Sequence, residues 1–139
     1  MKILRNILIT TIMSFTAFTY SDIAEVYQWK AFPGKNADMM QSMAKAAAIH
    51  TKQGAHVSID AHNVGSTQLV NYLLRWDDGA SYAATKDAQT NSEEWVKFWA
   101  ESSANPSGEM MASFQGVNID PTVMASDFEG SYVYSVGIW

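Results

Sequence analysis

Apolar and polar residues alternate along much of the chain, and the period of that alternation changes from segment to segment. Ala24–Phe32 is rich in β-prone and aromatic side chains and stops at Pro33-Gly34, which predicts a strand. Asn36–Gln53 carries Met40, Met43, Ala44, Ala47 and Ala48 at helical spacing, with Asn36 placed to cap its start and Gly54 to end it. From Ala55 to His62 the period is two: Ala55, Val57, Ile59 and Ala61 on one side, His56, Ser58, Asp60 and His62 on the other. Thr67–Trp76 repeats the pattern with Val70, Tyr72, Leu74 and Trp76. A hairpin closed by the loop Asn63-Val64-Gly65-Ser66 sets His62 opposite Thr67, Val57 opposite Tyr72 and Ser58 opposite Asn71.

After Asp77-Asp78-Gly79 a short Ala-rich helix is expected to about Gln89. A stronger one follows, opened by Asn91 and Glu94 at capping-box spacing, with Trp95, Phe98, Trp99 and Ser102 on one face. Glu109–Ile119 reads as a strand, and Tyr132, Tyr134, Val136 and Ile138 alternate as a further C-terminal strand would. The order is β-α-β-β-α-β. It predicts an α+β domain of ferredoxin-like plan over residues 22–120, an antiparallel sheet with its helices on one face, followed by an extension over 121–139. Leu69 and Leu73 then lie on the open sheet face among polar groups, a face suited to a ligand or another protein.

Residues 1–21 read as a signal peptide, with Lys2 and Arg5 ahead of the apolar stretch Ile7–Phe18 and small residues Thr19 and Ser21 before a cut at Asp22; a cut after Ala24 is the alternative. The expected location is therefore periplasmic or secreted. No cysteine is present, so neither a disulfide nor a lipid-anchoring cysteine is expected. Removal of Lys2 and Arg5 leaves seven basic against 14 acidic residues, a net charge of −7. That balance disfavours nucleic acid and anionic membrane surfaces as partners.

The strand ending in Pro33-Gly34-Lys35, the central hairpin, and Ser92-Glu93-Glu94-Trp95 with Phe98-Trp99 resemble the dimeric α/β-barrel superfamily, in particular small proteins similar to antibiotic-biosynthesis monooxygenases. The resemblance covers roughly Ala24–Asp120. It implies a homodimer whose open sheet faces stack into a barrel, with a pocket inside the barrel or between sheet and helices. The haem-degrading branch uses an Asn on the first strand and a later His. Gln28 stands on the first strand here and no His follows His62, so haem chemistry of that kind is not expected, nor any other cofactor or metal.

Two functions fit these features. The first is an exported dimer binding a small apolar or aromatic molecule, with cofactor-independent monooxygenation as its chemistry if it is an enzyme. The second is a non-catalytic binding or assembly module using the open face. For catalysis the candidates are Asp60 or His62 as base, with Asn71 and Ser58 orienting the substrate. For ligand binding they are His56, Gln28, Trp29 and Arg75, the last able to clasp a carboxylate bidentately or to pair with Asp77 or Asp78. The Met39, Met40 and Met43 stripe and the aromatic stripe of the last helix serve as core or as the walls of a small-ligand cavity. His50, in the last turn of its helix, is expected to be exposed and favoured in its charged form by the helix dipole.

Overall fold

A computed structural model describes residues 22–62, 69–118, 120, 122 and 124–128. Strand β1 (Ile23–Ala31) leads through the Pro33-Gly34 turn into α1 (Asn36–Lys52); β2 (His56–Ala61) and β3 (Leu69–Trp76) follow. Two helices, α2 (Gly79–Thr90) and α3 (Glu93–Ala104), precede β4 (Gly108–Val117), and a short 3-10 turn covers Ala125–Phe128. The sheet order is β2-β3-β1-β4, and β1 pairs antiparallel with both β3 and β4. This is the ferredoxin-like arrangement, with α2 and α3 together in the second helical position. The leader, the hairpin loop and the expected C-terminal strand lie outside the described residues. No helix among the described residues is long and apolar enough to cross a membrane.

Burial on β3 alternates strictly: Val70, Tyr72, Leu74 and Trp76 are buried, and Leu69, Asn71, Leu73 and Arg75 are half-buried on the other face. Met39, Met43 and Ala46 of α1 pack on the buried row. Burying an aliphatic or aromatic side chain of this size contributes about 1.5–3 kcal/mol, so this row is the main source of cohesion between helices and sheet. Trp76 is buried with its polar atom satisfied, for its indole Nε1 donates to Thr85 Oγ1 at 2.9 Å. Thr85 in turn donates to the Gln53 carbonyl at 2.8 Å, tying α2 to the end of α1.

Three local expectations are corrected. The β2–β3 register is displaced by two residues: Val57 opposes Leu74, Ile59 opposes Tyr72 and Asp60 opposes Asn71, while Ser58 opposes Leu73. A slip of two preserves the face of every side chain, so alternation alone cannot distinguish the two registers. Asn36 does not cap α1. Lys35 takes that position because the turn closed by its N–H on the Phe32 carbonyl already aligns its own carbonyl with the N–H of Met39. At α3 the cap is Ser92, whose Oγ accepts from the Trp95 N–H at 3.1 Å. Asn91 instead closes α2, its side-chain amide donating to the Asp87 carbonyl at 2.9 Å. Gly54 does end α1, with a φ of +94° that side chains other than glycine rarely adopt.

β4 enters the sheet through a close approach at Gly108. A Cβ there would lie 2.6 Å from the Lys30 carbonyl oxygen and 2.8 Å from Met39 Sδ, whereas one at Gly116 meets nothing within 4 Å. Gly108→Ala is therefore expected to destabilise the fold by about 1–3 kcal/mol in urea unfolding, and Gly116→Ala by much less. Equal effects would contradict the packing of β4 against β1.

Candidate functional site

Helix α3 contributes no fully buried residue, although its aromatic face points at the sheet. The reason is a cavity of about 680 Å³ between α3, α1 and the helix-facing side of β1, β3 and β4. That volume is ordinary for a small-molecule site. Trp95, Phe98 and Trp99 form one wall, Met39, Met43 and Ala46 a second, and Tyr27, Trp29 and Met110 the floor. Trp95 stacks on Phe98 with ring centres 5.3 Å apart and meets Trp99 edge-on at 5.6 Å, so the wall is a fixed aromatic surface. No Asp, Glu, Lys or Arg is among the lining residues.

One end of the cavity is polar. His50 is buried in the last turn of α1, its Nδ1 lies 2.7 Å from the Tyr72 hydroxyl, and its Nε2 lies 2.9 Å from the Gln89 amide nitrogen. Its ring also packs on Trp95 with centres 4.4 Å apart. Burial and then the nearby Lys86 charge lower its pKa to about 4, so the imidazole is neutral at pH 7. The expectation of an exposed, charged His50 is thus corrected: the dipole at the helix end does not offset desolvation. Burial likewise raises the Tyr72 hydroxyl well above its ordinary range.

Tyr27 sits directly opposite Tyr72 on β1 and donates to Glu25 Oε2 at 2.8 Å. Glu25 is buried, and it also accepts from Lys86 Nζ at 2.6 Å and from the Tyr82 hydroxyl at 3.0 Å. Burial opposes its charge, but the bonds from Lys86, Tyr27 and Tyr82 outweigh that cost and hold the carboxyl below its usual range. The same network raises the Tyr27 hydroxyl, chiefly through burial and then through Glu25. Tyr27 is therefore a protonated phenol anchored from behind by a compensated ion pair.

Of the residues named from sequence as catalytic or ligand-binding, only Trp29 lines this cavity, whereas Met39, Met43, Trp95, Phe98 and Trp99, read there as core or as cavity walls, do line it. Asp60, His62, Asn71, Ser58, His56, Gln28 and Arg75 belong to the opposite, open face. There Gln28 Nε2 donates to Asn71 Oδ1 at 3.2 Å, and Asn71 Nδ2 donates to His62 Nε2 at 3.2 Å. Arg75 is engaged by Asp22 at 2.8 Å rather than by Asp77 or Asp78, and His56 Nε2 lies 4.0 Å from Asp77. No cluster of three or more metal-ligating side chains occurs among the described residues.

His50, Tyr27, Tyr72 and Gln89 were not singled out as site residues from sequence. A signal for His50 existed: positions 39, 43, 46 and 50 recur at helical spacing and form the buried stripe of α1. Its titration has a measurable consequence. Between pH 6.5 and about 4 the unfolded chain protonates His50 and the folded chain does not, so stability falls as the pH drops through that window. The contribution lost is roughly 3 kcal/mol. Urea unfolding at pH 7 and pH 4.5 is expected to show a smaller difference for His50→Gln than for the native protein. An unchanged difference would contradict the buried, neutral imidazole.

No family model and no curated protein sequence matches the chain. Solved structures do. A NIPSNAP family protein from Agrobacterium tumefaciens aligns with a TM-score of 0.58 at 13% identity, over 77% of this chain and 92% of its own. A protein assigned as an antibiotic biosynthesis monooxygenase from Chloroflexus aurantiacus aligns with a TM-score of 0.53 at 13% identity, over 72% and 95%. A mutant of SnoaB, a cofactor-independent oxygenase from Streptomyces nogalater, aligns with a TM-score of 0.51 at 11% identity, over 74% and 96%. At these identities the likeness is one of fold, and the chain has the ferredoxin-like fold on which the dimeric α/β-barrel superfamily is built.

Proposed function

We propose that this protein is an exported homodimer that binds a small, uncharged apolar or aromatic molecule in the cavity beneath α3. The observation that carries this reading is the cavity itself: about 680 Å³, walled by indole, phenyl and thioether groups, polar at one end and without a charged side chain. Its persistence against the tendency of interiors to pack densely favours an occupant. Export rests on the leader. A cut before Asp22 keeps the carboxylate that holds Arg75, whereas a cut after Ala24 removes it together with Ile23 and Ala24, the first two paired residues of β1.

The second copy covers the open sheet face. Phe114 and Met111 are 62% and 50% exposed in one chain, and Phe114 shares its face with Val26 and Leu73. Such a patch is suited to a subunit contact. Catalysis as a cofactor-independent monooxygenase is the finer form of this reading, supported by likeness of fold to SnoaB. Asp60 or His62 as base, with Asn71 and Ser58 orienting, then serves a substrate held between the two sheets, because the sheet separates these side chains from the cavity. The Gln28–Asn71–His62 chain of hydrogen bonds favours such an organised face. A non-catalytic assembly module using the same face is the competing reading.

The neutral fluorophore N-phenyl-1-naphthylamine is expected to bind the native protein with a rise in emission and quenching of tryptophan fluorescence. Ser102→Trp, which fills the half-exposed edge of the cavity, is expected to weaken binding by about tenfold or more at unchanged helicity. Binding unaffected by Ser102→Trp would place the ligand elsewhere. Phe114→Glu is expected to convert a dimer to a monomer in sedimentation velocity. A native chain that sediments as a monomer at micromolar concentration would contradict the dimer.

A further inference from the structure

The polar end of the cavity has a direction. The Gln89 amide nitrogen lies 2.9 Å from His50 Nε2, and an amide N–H donates, so this ring nitrogen accepts. A neutral imidazole carries one hydrogen, which then resides on Nδ1. Nδ1 is 2.7 Å from the Tyr72 oxygen and donates to it. Tyr72 consequently receives a hydrogen bond and retains its own hydrogen, and no described residue accepts that hydrogen. Across the strand, Tyr27 also lines the cavity and gives its hydrogen to Glu25, which leaves its oxygen able only to accept. The cavity end thus offers one unused donor, Tyr72, beside one acceptor, Tyr27.

We propose that Gln89 and His50 are positioning residues that aim the Tyr72 hydroxyl hydrogen into the cavity, selecting uncharged ring ligands that carry a hydrogen-bond acceptor such as a carbonyl oxygen. This rests on the cavity as the ligand site. A buried donor left unmatched is costly, so a ligand with an acceptor at that end is favoured over a pure hydrocarbon of the same shape. A formal charge on the ligand finds no counter-charge in the lining and is rejected. The relay spans three elements, α1, β3 and α2, so the direction of the hydrogen is set by the fold and not by the ligand.

Two measurements test this. Nitrogen-15 NMR of the ligand-free protein at pH 7 is expected to show His50 as the Nδ1–H tautomer; an Nε2–H tautomer overturns the relay without any ligand or variant. Titration with the matched probes 9-fluorenone, fluorene and fluorene-9-carboxylate is then expected to rank the ketone about fivefold or more tighter than the hydrocarbon, with the carboxylate unbound. Infrared difference spectra of bound fluorenone are expected to show its carbonyl stretch shifted down by a hydrogen bond. Tyr72→Phe is expected to abolish both the shift and the preference while leaving fluorene affinity in place. Equal binding of ketone and hydrocarbon by the native protein, or a preference that survives Tyr72→Phe, overturns the relay and leaves the cavity site standing. No binding of any probe overturns the cavity reading itself.

Discussion

Four elements converge on one buried imidazole. His50 comes from α1, bonds Tyr72 of β3 and Gln89 of α2, and packs against Trp95 of α3. Each contact is modest alone, a neutral hydrogen bond contributing about 1 kcal/mol net. Together they fix the height of α3 above the sheet. Trp95 rests on the imidazole at one end of the helix, and Ser42 and Ser102 meet at 3.4 Å nearer the other. Between these supports the aromatic face of α3 spans open space. The cavity is therefore the result of where the helix is propped rather than of poor packing.

The floor of that space carries one phenol, Tyr27, with a buried charge behind it on the inner face of β1. Glu25 points to the helix side, in line with Tyr27 and Trp29, and a buried carboxylate requires compensation. Lys86, Tyr27 and Tyr82 supply it, with Lys86 also lying over the Trp76 and Tyr82 rings at 5.5 and 5.3 Å. The ion pair stays behind the wall, and only the phenol of Tyr27 reaches the cavity. The opposite face of the sheet carries Gln28, Asn71 and His62 in a hydrogen-bonded row, with the exposed Phe114 on the same face, a different surface. One sheet thus separates two chemical environments, which is what a period of two residues per strand provides.

Much of this fold was legible because its elements announce themselves by period. The β2–β3 faces follow from alternation, and the helix bounds from Pro33-Gly34, Gly54 and Asn105-Pro106. What alternation cannot carry is register in steps of two, and the hairpin accordingly pairs Asp60, not Ser58, with Asn71. The candidate site was less legible. Polar residues alternating with apolar ones draw attention to His56, Asp60 and His62, yet the cavity is lined from the apolar row, where Tyr27 and Tyr72 pass for core aromatics. His50 lies on the Met39–Met43–Ala46 stripe, but an argument from its own helix end alone assigns it to solvent. Its burial depends on Tyr72 and Gln89, residues 22 and 39 positions away, and contacts at that separation leave no local pattern.

The most direct test is a crystal structure of the protein grown with fluorene. The account predicts a ring between Trp95 and Trp29, with α3 propped on His50 and the Tyr72 hydroxyl at the rim of the ligand. An α3 packed down on the sheet with no room beneath it, or fluorene bound only on the open face beside Phe114, would contradict it.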